Sequence, residues 1–268
     1  MRRSRCLFFV VVLIFAAGIC PRAAADPISK FIDPSLFGHL DQHKTKCPTK
    51  GCGGTAVLNS IVFLQNEYAS VYQGLLTGPD ESEQITTANQ IDDDMQSSEG
   101  KDTSWSNFVS GKEQYINGAA PGTTSYSDES VYDPKPVIPT PGYIVNQLAH
   151  DQDVEILVEG LTPKGGHFGH YVTVTGMSYD ASSHTGMFSF VDPADGMNKT
   201  RDFYVDEDGY MDFLAANGLS RYISGAVSEG PTGTAPEPTA TALVLSGSIA
   251  IVVISGARRQ RARLQSKS

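Results

Sequence analysis

Cysteine is scarce in this chain, and half of it lies in an apolar N-terminal segment. Of four cysteines, Cys6 and Cys20 fall in that segment, which leaves Cys47 and Cys52 for the body of the protein. A small domain stapled by many bridges is thereby excluded. The remaining pair is open to two uses, a disulfide across a short loop or free thiols. Basic residues are scarce as well. Nine of the 20 lie in the two ends, so the stretch between carries 11 of them against all 30 acidic residues, a formal charge of −19. Such a surface repels polyanions and excludes nucleic acid as a partner. No internal repeat is visible, and the acidic runs match no twelve-residue calcium loop. His39, His43, Cys47 and Cys52 are spaced closely enough for tetrahedral ligation but follow no familiar zinc pattern. Neither metal nor cofactor is called for.

The two ends carry addresses. Met1-Arg2-Arg3-Ser4-Arg5, an apolar run from Cys6 to Ile19, and Ala23-Ala24-Ala25 before Asp26 have the three parts of a secretory signal peptide, residues 1–25. The run is short for a membrane span. Cys20 invites a lipid-attachment reading, but Ile19 is too large for the position before it. At the other end, residues 240–257 are almost wholly apolar and are followed by Arg258-Arg259-Gln260-Arg261-Ala262-Arg263. About 18 helical residues cover about 27 Å, enough for a bilayer core. The basic tail, 258–268, is expected to stay cytoplasmic, which puts the body outside the inner membrane. Pro236-Glu237-Pro238 stands in the Pro/Thr/Gly linker, 230–239. Pro-Glu-Pro, an apolar helix and an arginine-rich end, in that order, resemble the PEP-CTERM sorting tail of Gram-negative bacteria. The resemblance implies an exosortase-type sorting transpeptidase as a partner and delivery to the envelope or exterior. A plain single-pass anchor needs the same physical parts.

Between the ends, residues 26–229 are long enough for one domain with a real core. Residues 26–50 read as an irregular lead-in. From Thr55 to Leu76, apolar residues at spacings of three and four define one helical face. Residues 77–140 are acidic and rich in Ser, Asp, Gly and Pro; they read as an insertion of loops with a short helix around Trp105–Phe108. In it, Asp92-Asp93-Asp94 reads as a solvated run. Regularity returns after Pro141, which suits a helix start. Runs at 154–158, 171–177, 187–191, 201–205 and 221–227 then read as strands. A helical half followed by an antiparallel sheet is an α+β pattern.

The residues that carry chemistry come from separate segments. Gly51-Cys52-Gly53-Gly54-Thr55-Ala56 opens the first helix. The thiol nucleophile works as thiolate, which the free N–H groups and positive dipole end of a helix N-terminus favour. Gly53 and Gly54 cost helix stability and leave room for a substrate backbone. His170, in Gly169-His170-Tyr171-Val172-Thr173-Val174-Thr175-Gly176, opens a strand, sharing a face with Val172 and Val174. Asp192, before Pro193, ends the next strong strand and can accept from the imidazole and orient it. His167 reads as a loop residue. Cys47 is followed by Pro48, where no helix pattern begins.

These segments resemble the papain-like cysteine peptidase superfamily, most closely its bacteriocin-processing (double-glycine leader) branch. The likeness covers about residues 50–70 and 140–195. It implies an α+β fold in which a Cys-bearing N-terminal helix packs on an antiparallel sheet. It also implies acyl hydrolysis of a peptide or protein substrate, with Cys52, His170 and Asp192 as the catalytic residues. The family places a Gln about six residues before the Cys as an oxyanion donor. Here that position is Lys46, and the nearest upstream Gln is Gln42, ten residues before Cys52. Gln42 takes the role if an insertion around Cys47-Pro48-Thr49-Lys50 lets it reach. Otherwise the hole is degraded, and the chain is a non-catalytic binding or matrix protein on the same fold.

Overall fold

A computed structural model describes residues 26–132, 135–215 and 218–232. The expected signal peptide, all but the start of the linker, the apolar 240–257 segment and the basic tail lie outside the described residues. Among the described residues no helix is long and apolar enough to cross a membrane.

The architecture is α+β. Helices α1 (Cys52–Glu67), α2 (Ala69–Tyr72), α3 (Glu81–Asp94) and α4 (Trp105–Ala119) precede most of the sheet, and α5 (Pro141–Ala149) introduces its main run. The strands are β1 (Ile28–Phe31), β2 (Thr124–Ser130), β3 (Asp153–Leu161), β4 (His167–Asp180), β5 (Thr185–Asp192), β6 (Met197–Val205), β7 (Met211–Leu214) and β8 (Ser220–Pro231). Every pairing is antiparallel. The order runs β1-β4-β3-β8-β7-β6-β5, and β5 also pairs with β4. Strands β3 to β8 therefore close into a ring, which hides the edges an open sheet would expose. β1 and β2 extend it along β4 and β8.

Alternation along the central strands builds two cores on opposite faces. Val154, Ile156 and Val158 of β3, Val172 and Val174 of β4, and Phe188 and Phe190 of β5 point to one side, where Ile144 and Leu148 of α5 close the cluster. Leu157, Tyr171 and Val227 point to the other, against Ala56, Val57, Ile61 and Leu64 of α1 and Phe108 of α4. Each such aliphatic side chain contributes about 1.5–3 kcal/mol on full burial. α1 is fixed on the sheet by Thr173, whose Oγ1 donates to the Ala56 carbonyl at 2.7 Å. α5 begins as its sequence suggests, with Pro141 in the first turn and the Thr140 side chain accepting from the Tyr143 N–H.

The N-terminal half is more regular than its composition suggests. The lead-in 26–50 contains β1, which pairs with β4, and 3-10 turns at Pro34–Leu36 and Gln42–Lys44. Its side chains are mostly exposed, so no apolar alternation marks it. The supposed loops of 77–140 contain α3, all of α4 and β2. α3 opens with a capping box between Asp80 and Glu83, and α4 continues from Trp105 through Ala119.

Candidate active site

Cys52 is the first residue of α1, with Gly51 as the N-cap. Its first turn presents N–H groups that have no intrahelical acceptor. His170 lies within β4, three residues after its start, and Asp192 closes β5. The β4–β5 pairing brings these two strands together, and His170 Nε2 meets Asp192 Oδ1 at 2.8 Å. With Nε2 taken by Asp192, Cys52 is the other group whose interaction favours the charged imidazole. Burial works against the imidazolium, but hydrogen bonds to Asp192 and Cys52 and their charges outweigh it, raising the His170 pKa to about 10. Burial likewise opposes the Asp192 carboxylate. His170, Lys199 and the Ala194 N–H prevail and hold its pKa well below the usual carboxylate range.

Lys199 was not legible as a site residue. Its Nζ lies 2.7 Å from Asp192 Oδ2 and 2.7 Å from Asp195 Oδ2. The Ala194 N–H donates to Asp192 Oδ1 at 3.0 Å. Asp192 is therefore held on both oxygens, which fixes the carboxylate that orients the imidazole. The only clue in the sequence was the turn after Asp-Pro, which returns the chain alongside β5 as β6.

Gln42 is buried in the turn before the Cys47–Gly51 loop. Its backbone N–H donates to the Pro193 carbonyl at 2.8 Å, which attaches it to the Asp192 corner. Its side-chain Nε2 donates to the Pro48 carbonyl at 3.1 Å, and its buried Oε1 has no partner. The ten-residue separation thus bridges from the Asp192-Pro193 corner to the loop that delivers Cys52. One amide proton is engaged there; the second is not used by that bond.

The glycines after Cys52 have a different purpose from the expected one. A Cβ on Gly54 would lie 2.6 Å from Asp92 Oδ1 and 2.7 Å from the Ala88 carbonyl of α3. Gly53 abuts Met95 and Phe108. They let α1 approach α3 and α4, rather than clearing a path for substrate. Asp92 is accordingly not solvated. It is fully buried, and its Oδ1 accepts the Gly54 N–H at 3.1 Å. Burial raises its pKa to about 6, against the opposing Gly54 hydrogen bond. One carboxylate of the acidic run is thus turned inward onto the helix that begins at Cys52.

Cys47 and Cys52 are both free, Cys47 buried and Cys52 partly exposed. Burial and then the Asp92 charge push the Cys47 thiol upward in pKa. The possible zinc quartet does not assemble. Both ring nitrogens of His39 meet backbone carbonyls, of Gly196 and Pro34, and His43 pairs with Asp41. Among the described residues, the one group with metal-compatible spacing is Asp153, Glu155 and Glu229. That group is fully buried and already holds a cation, Lys112, which pairs with Glu155 and Glu229.

A pocket of about 520 Å³ opens beside Cys52. Trp105, Leu157 and Tyr171 form apolar walls, and Glu159, His167 and Tyr132 line its polar side. His167 is not a loop residue. It is the first residue of β4, and its Nε2 lies 2.7 Å from Glu159 Oε1.

No family model matches the chain, and no curated protein matches it. What the site can do is therefore read from its geometry: a partly exposed thiol at a helix N-terminus, an oriented imidazole and an adjacent pocket.

Proposed function

We propose that this chain is an exported thiol-dependent acyl hydrolase, a cysteine peptidase-like enzyme on a papain-like α+β fold. The observation that carries the reading is His170, hydrogen-bonded through Nε2 to Asp192 at 2.8 Å and near enough to Cys52, at the start of α1, for the thiol to favour its charged form. Cys52 Sγ attacks the scissile carbonyl carbon. An S–C bond forms, and the carbonyl π electrons move to oxygen. The Cys52 N–H and the second amide proton of Gln42 hold that oxyanion. His170 then gives its proton to the leaving nitrogen as the C–N bond breaks, leaving a thioester. Water, losing a proton to His170, attacks the thioester and releases the acid. Asp192, held by Lys199, keeps the imidazole oriented throughout. No cofactor enters.

The resemblance of the C-terminus to a PEP-CTERM tail supports the address. The signal peptide delivers residues 26–229 outside the inner membrane. The apolar 240–257 segment anchors them until an exosortase-type transpeptidase processes the tail. One observation favours a second reading, a non-catalytic extracellular binding or matrix protein: the Gln42 amide is engaged by Pro48.

The test is iodoacetamide labelling of the unreduced exported domain at about pH 5–6, read by peptide mass spectrometry. A thiol with an ordinary pKa of about 8.5 is nearly inert there. Fast labelling at Cys52 but not Cys47, abolished by His170→Ala in a folded protein, is expected. A rate at Cys52 that His170→Ala leaves unchanged sinks the proposal.

A further inference from the structure

The pocket beside Cys52 contains a carboxylate that the hydrolytic mechanism does not use. Glu159 lies on β3, where Val158 is the register partner of His170 and Glu159 that of Gly169. Neighbouring strands are about 4.8 Å apart, so Glu159 is one step from the catalytic histidine. Alternation turns it to the opposite face, the face on which α1 packs. Its side chain is only 4% exposed. Two of its acceptor sites are taken, one by His167 Nε2 at 2.7 Å and one by the Tyr132 hydroxyl. An ionised carboxylate has about four such sites, so two remain.

Among the described residues no lysine or arginine pairs with Glu159. Arg221, the buried guanidinium nearby, points its Nη1 to the Leu161 and Ser220 carbonyls and lies over the Phe168 ring, 4.1 Å from its centroid. Lys50, at the pocket rim, pairs with Asp102 at 2.6 Å. Burial, followed by the Glu159 hydrogen bond and charge, pushes the Tyr132 hydroxyl upward in pKa. The walls suit a long stem ending in a positive charge. Trp105, Leu157 and Tyr171 give it apolar walls along which the methylene stem of such a side chain can lie. The volume falls within the ordinary range for ligand pockets, about 300–1,000 Å³.

We propose that Glu159 makes this pocket a subsite for a positively charged arginine or lysine side chain next to the bond that Cys52 attacks. As a specificity element this rests on the hydrolase reading; as a binding site it does not. The exposed imidazole of His167 turns aside, and the incoming guanidinium or ammonium takes its place on Glu159 Oε1. The strongly acidic body of the protein favours encounter with such substrates.

Trp105 is the only tryptophan in the chain, and it lines the pocket. Its fluorescence, with calorimetry in parallel, is therefore a direct readout. The exported domain carrying Cys52→Ala is titrated with N-acetyl-arginine amide and with its uncharged isostere, N-acetyl-citrulline amide. Saturable binding of the arginine compound at least tenfold tighter than the citrulline compound is expected. That preference is expected to vanish in Glu159→Gln, whose amide keeps the size and the acceptor for Tyr132. Equal affinities for the two compounds, or a preference that persists in Glu159→Gln, overturn the proposal. Cation selectivity in a protein whose Cys52 is unreactive supports the pocket and removes the hydrolase.

Discussion

Two charged networks in the molecule are built on opposite principles. At Cys52 the charges alternate: Asp195, Lys199, Asp192, His170 and then the thiol. Each carboxylate has a cation, and the chain ends on a partly exposed group beside a pocket. In the centre, Lys112 of α4 alone faces Asp153 and Glu155 of β3 and Glu229 of β8, all fully buried. Burial pushes against the Lys112 ammonium, but the carboxylates around it raise its pKa all the same. Burial, with too few cations to share, pushes Glu155 and Glu229 upward. Further contacts help to seal the cluster: Ser60 Oγ donates to Asp153 at 2.6 Å, and the Glu229 N–H donates to its other oxygen at 3.0 Å. The comparison separates a network that can change charge during a reaction from one that joins α1, α4, β3 and β8.

The sharpest way to break the comparison is Lys112→Met. It leaves buried carboxylates with no cation and is expected to destabilise the fold by about 3–5 kcal/mol. The folded fraction is expected to label at Cys52 as fast as wild type. Urea unfolding read alongside the labelling rate checks both parts, and a Cys52 rate that falls with stability would join the networks. Gln42→Ala acts at the other end. It is expected to lower turnover by about 100- to 1000-fold, as loss of one oxyanion donor does, with iodoacetamide labelling unchanged, since alkylation makes no oxyanion. Normal turnover in this variant would remove Gln42 from the hole.

The smallest effect concerns Asp92, a single carboxylate under the Cys52 helix. Its folded pKa of about 6 is above its unfolded value of 3.8. The folded state therefore holds the proton more tightly than the unfolded chain. The associated stability is fully present below about pH 4 and is lost as pH rises through 6, about 2–3 kcal/mol in all. Asp92→Asn is expected to flatten this part of the pH–stability profile. An unchanged slope between pH 4 and 7 would show that Asp92 titrates normally.

The three residues that the fold brings together around His170 were legible because each is marked locally. Cys52 precedes an apolar repeat of helical period, His170 begins the β-branched stretch of its strand, and Asp192 precedes a proline. The body of the sheet was legible for the same reason, since most of β3 and the middle of β4 are buried on both faces, β5 is buried on one, and all are rich in Val, Ile or Phe. α3 and most of α4 were not. α3 offers few large apolar side chains, Ile85 and Ile91 among them, in a polar run. α4 carries Gly111, where a Cβ would come within 2.6 Å of the Met95 backbone N. Residues that lower helix propensity are there because the helices pack closely, and propensity alone cannot see the neighbour. β1 escaped notice because an exposed edge strand needs no alternation.

What the sequence by itself determined is the α+β order of elements, the residue types of a thiol–imidazole–carboxylate site, and the places of Cys52 and Asp192 at element ends; His170, expected to open its strand, lies three residues inside β4. Periodicity and punctuation are local, so one chain suffices to read them. Only the tertiary structure decided that Asp92 is buried under the Cys52 helix, that Lys199 holds Asp192, that Gln42 bridges the Pro193 corner to the Cys52 loop, and that Glu159 lines the neighbouring pocket. Each depends on which strand or helix lies beside which, and burial and pairing across the fold set the charge of a group more than its own side chain does.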